Sequence, residues 1–252
     1  MTPKQFAALQ AEGYNRIPIV REVLADLDTP LSVYLKLVQD PYGYLFESVQ
    51  GGEKWGRYSI IGLPCRLRLQ VQGQQVTLLD GQQVLESHQV EDPLAYIEQF
   101  RECFRVPELA GLPRFYGGLV GYFGYDTIAY IEPRLRNTEK PDPLQTPDIL
   151  LMVSDEVVVF DNLNRRMYLI VHADIASGGT LQAAEARLDE LVALIQKEAP
   201  HQLSGEKRKV SEADFISGFT EAGFTSAVER IKQYILDGDC MQVVRSQRLS
   251  VP

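Results

Sequence analysis

Arg66-Leu-Arg-Leu-Gln-Val71 alternates polar and apolar residues, and Gln75-Val-Thr-Leu-Leu79, Asp80-Gly81 and Gln83-Val-Leu-Glu86 follow it closely. Alternation with a period of two is the pattern of a strand with one face buried. Gly73 turns the chain between the first two runs, and Asp-Gly is a strong two-residue hairpin signal before the third. Consecutive hairpins of this kind predict an antiparallel meander.

Working outward, Asp92 can cap a helix with Pro93 in its first turn, and Leu94, Ile97, Phe100 and Phe104 recur at helical spacing. Residues 133–147 carry four prolines and read as a loop. Val157-Val-Val-Phe160 and Met167-Tyr-Leu-Ile-Val171 flank Asp161-Asn-Leu-Asn-Arg165, which predicts another hairpin. Leu181, Ala184, Leu188, Leu191 and Ile195 form one apolar helical stripe. The chain turns polar from about Ala199 to Phe219. Phe224, Ala227, Val228, Ile231 and Ile235 then predict a second amphipathic helix stopped by Gly238, and Cys240 to Ser250 reads as a strand. Strands do not alternate regularly with helices, so an all-parallel α/β fold is excluded. The expected class is α+β, antiparallel β-sheets with packed helices.

The chain's 252 residues are enough for one large domain or two. Hydrophobic residues at 45% and charged residues at 23% are ordinary for a globular protein. A net charge of −9 argues against a nucleic-acid partner, because phosphate neutralisation needs clustered Lys and Arg. The one basic run, Glu206-Lys-Arg-Lys209, reads as a solvated linker. Cys65, Cys103 and Cys240 are too few and scattered for a disulfide framework or a zinc site, and His88, His172 and His201 show no metal-ligand spacing. With neither a signal-peptide core nor a membrane-spanning run, the expectation is a cytoplasmic protein without a membrane partner.

Tyr44-Leu-Phe-Glu-Ser48 and Arg57-Tyr-Ser-Ile-Ile-Gly62 bracket a Gly-rich turn. A strand ending in Glu47 and Ser48 offers an acceptor for an ammonium group and a hydroxyl for a carboxylate, and Arg57, Tyr58 and Ser59 lie across the turn. The bland reading is that Glu-Ser merely opens a polar turn, and that Arg57, Tyr58 and Ser59 hold the loop in shape. Phe115-Tyr-Gly-Gly-Leu-Val-Gly-Tyr-Phe-Gly-Tyr-Asp126 sets glycines among aromatics. Its spacing fits neither a dinucleotide nor a Walker loop, so it reads as tight sheet packing. Asp155-Glu156 reads as a solvated turn at a strand edge.

Five segments together resemble the anthranilate synthase component I family: Asn15-Arg-Ile-Pro18, Asp28-Thr-Pro-Leu-Ser-Val-Tyr-Leu-Lys-Leu37, Glu47-Ser48 to Gly62, Phe115 to Asp126, and Gly238-Asp-Cys-Met-Gln-Val-Val-Arg-Ser-Gln-Arg248. The Phe-x-Gly-Gly-x-Val-Gly-Tyr pattern is shared with aminodeoxychorismate synthase, whereas the Leu-x-Glu-Ser element is more particular. The resemblance implies a layered β-sandwich with outer helices. It also implies a regulatory domain over residues 1–200, a linker over 201–218, and the start of a chorismate-binding catalytic domain over 219–252. Ser48 and Glu47 become part of a feedback site for L-tryptophan, with Arg57, Tyr58 and Ser59 as further candidates.

Gln242 stands where water-using relatives resemble one another in having a Lys base, so a neutral Gln favours ammonia as nucleophile. Arg245 departs from the family, which usually has Pro or an apolar residue there. The reaction implied is chorismate and ammonia to anthranilate and pyruvate. It would use Mg²⁺ held by glutamates beyond Pro252 and ammonia from a glutamine amidotransferase subunit (anthranilate synthase component II), in a hetero-oligomer. The catalytic and metal residues are expected beyond Pro252, so this chain alone is expected to be inactive. The alternatives are aminodeoxychorismate synthase component I and a non-catalytic tryptophan-binding or subunit-docking module.

Overall fold

The computed structural model describes residues 1–47, 56–135, 142, 144–198 and 209–251. Contacts divide the chain into two compact units, Met1–Pro200 and His201–Pro252. In the first unit the strands are β1 (Arg16–Leu24), β2 (Tyr44–Phe46), β3 (Tyr58–Gly62), β4 (Leu67–Gln72), β5 (Gln75–Asp80), β6 (Gln83–Gln89), β7 (Gly118–Phe123), β8 (Ile149–Ser154), β9 (Glu156–Asp161) and β10 (Arg166–Asp174). Its helices are α1 (Pro3–Ala11), α2 (Pro30–Leu37), α3 (Pro93–Glu102), α4 (Ile128–Ile131) and α5 (Leu181–Ile195).

Two five-stranded sheets form, in the orders β1-β10-β9-β3-β2 and β6-β5-β4-β8-β7. All their pairings are antiparallel. The meander β4–β5–β6 has the expected Asp80 to Gln83 closure, with Gly81 at φ +59°. Asp92 caps α3 through the Leu94 and Ala95 amides, at 3.0 and 3.1 Å. Pro18 is accommodated in β1 because that strand lies at a sheet edge.

Ile17, Ile19 and Leu169 of the first sheet pack against Val33 of α2 and Leu188 and Leu191 of α5. The opposite side of the unit buries Ile97 of α3 against Leu69, Val71 and Ile149 of the second sheet. Between the sheets, Tyr44 and Ile60 meet Val120 and Met152. The layers therefore run helix, sheet, sheet, helix, an α+β sandwich with outer helices. Burying one apolar face of each helix and both faces of the inner strands drives this stacking.

A single residue, Asp155, carries the chain from β8 in one sheet to β9 in the other. The solvated-turn reading of Asp155-Glu156 is corrected here. Asp155 is half-buried 3.4 Å from the Arg16 guanidinium, and Glu156 takes a two-pronged hydrogen bond from Arg187 of α5. Both carboxylates meet cations that arrive from distant parts of the chain.

In the second unit, α6 (Glu221–Leu236) is capped by Thr220, and β11 (Ile216–Ser217) pairs with β12 (Leu249–Ser250). The strand expected over Cys240 to Ser250 shrinks to its last two residues. Residues 240–248 find no neighbouring strand among the described residues, and an extended run without a ladder partner is not a stable strand. The segment read as a linker begins within residues 199–208, which lie outside the described residues. Among the described residues, no helix is long and apolar enough to cross a membrane.

Candidate functional site

Among the described strands β2 is the last of its sheet, and its ladder with β3 runs Tyr44↔Gly62, Leu45↔Ile61, Phe46↔Ile60. Gly62 is required there: a Cβ would meet the Tyr44 ring at 1.9 Å. Tyr44 is fixed from its other end by a 2.8 Å hydrogen bond to the Ser154 hydroxyl, and burial pushes its phenol up to about 12. This anchoring sets the position of the residues that follow.

Glu47 comes directly after the last ladder pair and Ser59 directly before it, so the ladder brings these two candidates to the same end of the strands. Glu47 is exposed, and the half-exposed Phe46 ring before it stands 4.9 Å from that of Tyr44. An exposed carboxylate at the end of an outer strand offers an acceptor for an ammonium group. Ser48 lies outside the described residues.

The remaining candidates have structural partners. Arg57 spends its charge on Asp161, with Nη2 2.6 Å from Oδ2 and Nε 3.1 Å from Oδ1. Asp161 in turn accepts from the Leu163 and Asn164 amides, both at 3.2 Å, and so shapes the β9–β10 turn. The Arg57 guanidinium also stacks 4.8 Å from the half-buried Tyr58 ring. Ser59 is buried and accepts from Asn162 Nδ2 at 3.3 Å. These contacts accord with a loop-shaping role for all three.

In the second unit Gln242 is exposed in the irregular segment after α6. Arg245 is half-buried with its Nε making no hydrogen bond, and its guanidinium stacks on two rings, 4.1 Å from Phe219 and 5.3 Å from Phe224. Those phenylalanines explain how Arg is tolerated there. Among the described residues no three His, Cys, Asp or Glu side chains cluster as metal ligands.

Residues 45–252 match the family described as chorismate binding enzyme. The chain belongs to that family. It is 54% identical over its full length to the Pseudomonas putida protein named anthranilate synthase component 1, covering 51% of that protein. It is 35% identical to the Aquifex aeolicus protein of the same name, over 94% of this chain and 48% of that one. A crystal structure of anthranilate synthase component I from Streptococcus pneumoniae TIGR4 superposes with a TM-score of 0.62 at 25% identity, over 91% of this chain and 48% of that one. The chain thus spans about half the length of the curated relatives it matches.

Sequence reasoning missed the cluster of Arg16, Asp155, Asp174 and His172. Its only sequence signal was the adjacent Asp155-Glu156 pair. The partners lie more than a hundred residues away or on another strand, where no spacing rule reaches.

Proposed function

We propose that this chain is the tryptophan-sensing half of an anthranilate synthase component I, acting with a second half that supplies the chemistry. The full-length 54% identity to a protein bearing that name carries the reading. Glu47 and Ser48 would hold the ammonium and carboxylate of L-tryptophan at the β2 edge, with Phe46 beside the ring. Tryptophan would inhibit by favouring one arrangement of the two halves.

The reaction would aminate chorismate at C2 and then release pyruvate, leaving anthranilate. Ammonia would come from a glutamine amidotransferase partner and needs no base to become nucleophilic, which suits a neutral Gln242. Mg²⁺ would be held by glutamates of the other half, neutralising the substrate carboxylate. No step is assigned to residues of this chain beyond lining the site.

Co-expression with the second half of the Pseudomonas putida relative tests this. Ammonia-dependent anthranilate formation that needs both pieces, and that L-tryptophan suppresses, is the expected result. Activity from this chain alone, or paired activity indifferent to tryptophan, would reject the regulatory assignment.

A further inference from the structure

A second cleft, of about 430 Å³, opens in the first unit between the start of β1, the start of β7 and the β8–β9 link. That size lies in the small-molecule range of ~300–1,000 Å³. Neither Glu47 nor any of Arg57, Tyr58 and Ser59 lines it, and the reading above makes no use of it.

Its polar groups are incompletely matched. Arg16 is buried with Nη1 paired to Asp174, but its Nε makes no hydrogen bond and stands 3.4 Å from Asp155 Oδ1. Asp155 has no other ion-pair partner among the described residues, and burial is the main reason its carboxyl is pushed up to about 6. The His172 amide and ring Nδ1 both donate to the Asp155 carbonyl, at 2.9 and 3.0 Å. That bond places the ring proton on Nδ1, and burial holds the imidazole neutral. Nε2 is therefore an acceptor, and no group among the described residues bonds it. Arg114, at the exposed rim, has no ion pair among the described residues.

The backbone keeps the space open. Gly117 and Gly118 hold φ +149° and +131°, in the region that favours glycine. A Cβ on Gly117 would come within 2.6 Å of His172 Cε1. Beside these groups the wall is apolar, formed by the cross-strand pair Leu119 and Val153.

The charges oppose either pure ion. An anion would face Asp155, and a cation would face Arg16, Arg114 and Arg101, the last already paired with Glu98. The geometry points to a binding site for a zwitterionic α-amino acid with an aliphatic side chain: Asp155 and His172 Nε2 accept from the ammonium group, Arg114 takes the carboxylate, and Leu119 and Val153 pack the side chain.

Calorimetric titration of the chain with L-leucine tests this, alongside 4-methylpentanoate, which lacks the amine, and 3-methylbutylamine, which lacks the carboxylate. Saturable L-leucine binding below about 10 mM is expected, with each analogue at least about tenfold weaker. Arg114→Ala and Asp155→Asn should each weaken L-leucine about tenfold or more without changing the far-UV spectrum. Glu47→Gln should leave it unchanged, which separates this cleft from the proposed tryptophan site. No binding up to that concentration, equal binding of an analogue, or indifference to both cleft variants would overturn the assignment.

Discussion

The Arg57 guanidinium grips the Asp161 carboxylate with two nitrogens, Nη2 at 2.6 Å and Nε at 3.1 Å. Asp161 is nearly fully buried, with 2% of its side chain exposed, and also receives the amides of its own turn. Removing it would strip acceptors from the amides and leave Arg57 uncompensated. Asp161→Ala is expected to destabilise the first unit by about 2–3 kcal/mol in urea unfolding. Arg57→Ala should also lower the midpoint, yet change L-tryptophan affinity in calorimetry less than Glu47→Gln does.

The two turn carboxylates carry opposite pH dependence. Asp161 is held below the usual carboxylate range, chiefly by the Arg57 hydrogen bonds. Its folded pKa lies under the unfolded value of ~3.9, so its contribution is present above that pH and lost as pH falls through the folded pKa. Asp155 is pushed up to about 6 by burial, with Arg16 opposing and Asp174 and Glu156 adding repulsion. Its contribution is full below the unfolded pKa and is lost as pH rises towards about 6. Urea midpoints measured from pH 4 to 7 should show that loss in the natural chain and a flatter profile in Asp155→Asn.

Gly121 of β7 has the backbone of β8 against it, and a Cβ would sit 1.8 Å from the Leu150 carbonyl oxygen. No side-chain rotation relieves a clash with backbone. Gly121→Ala should force the strands apart and cost about 2–4 kcal/mol. A thermal melt compared with Gly73→Ala serves as the check, since a Cβ on Gly73 meets nothing and only its φ of +56° is strained.

Glu47 is exposed at the strand end, so its replacement removes the proposed tryptophan contact without disturbing packing. Glu47→Gln should weaken L-tryptophan binding by roughly 10- to 100-fold, the loss of one charge-assisted hydrogen bond. The melting temperature should stay within about 1 °C, as for an ordinary surface change. An unchanged affinity in calorimetry would remove Glu47 from the site.

Local structure was legible because its causes are local. Gly73, Asp80-Gly81 and the alternation around them specify β4–β5–β6, and the turn after Asp161 specifies β9–β10. Asp92 and the apolar stripe of α5 announced two helices. By contrast, β1 pairs with β10, placing Arg16 opposite Asp174, and nothing near either residue signals it. The closing run from Cys240 failed as a strand for a related reason, since alternation states what a strand could bury but supplies no partner.

By itself, then, the sequence determined the α+β class, the hairpins of β4–β5–β6 and β9–β10, the start of α3, the apolar stripes of α5 and α6, and the family to which the chain belongs. Only the tertiary structure decided the sheet orders, the commitment of Arg57 to Asp161, and the gathering of Arg16, Asp155 and His172 around one cleft. Turns and caps act over a few residues, whereas strand order and buried charge pairing depend on closing loops of a hundred residues or more. Those contacts are selected by the packing of the whole core rather than by any segment within it.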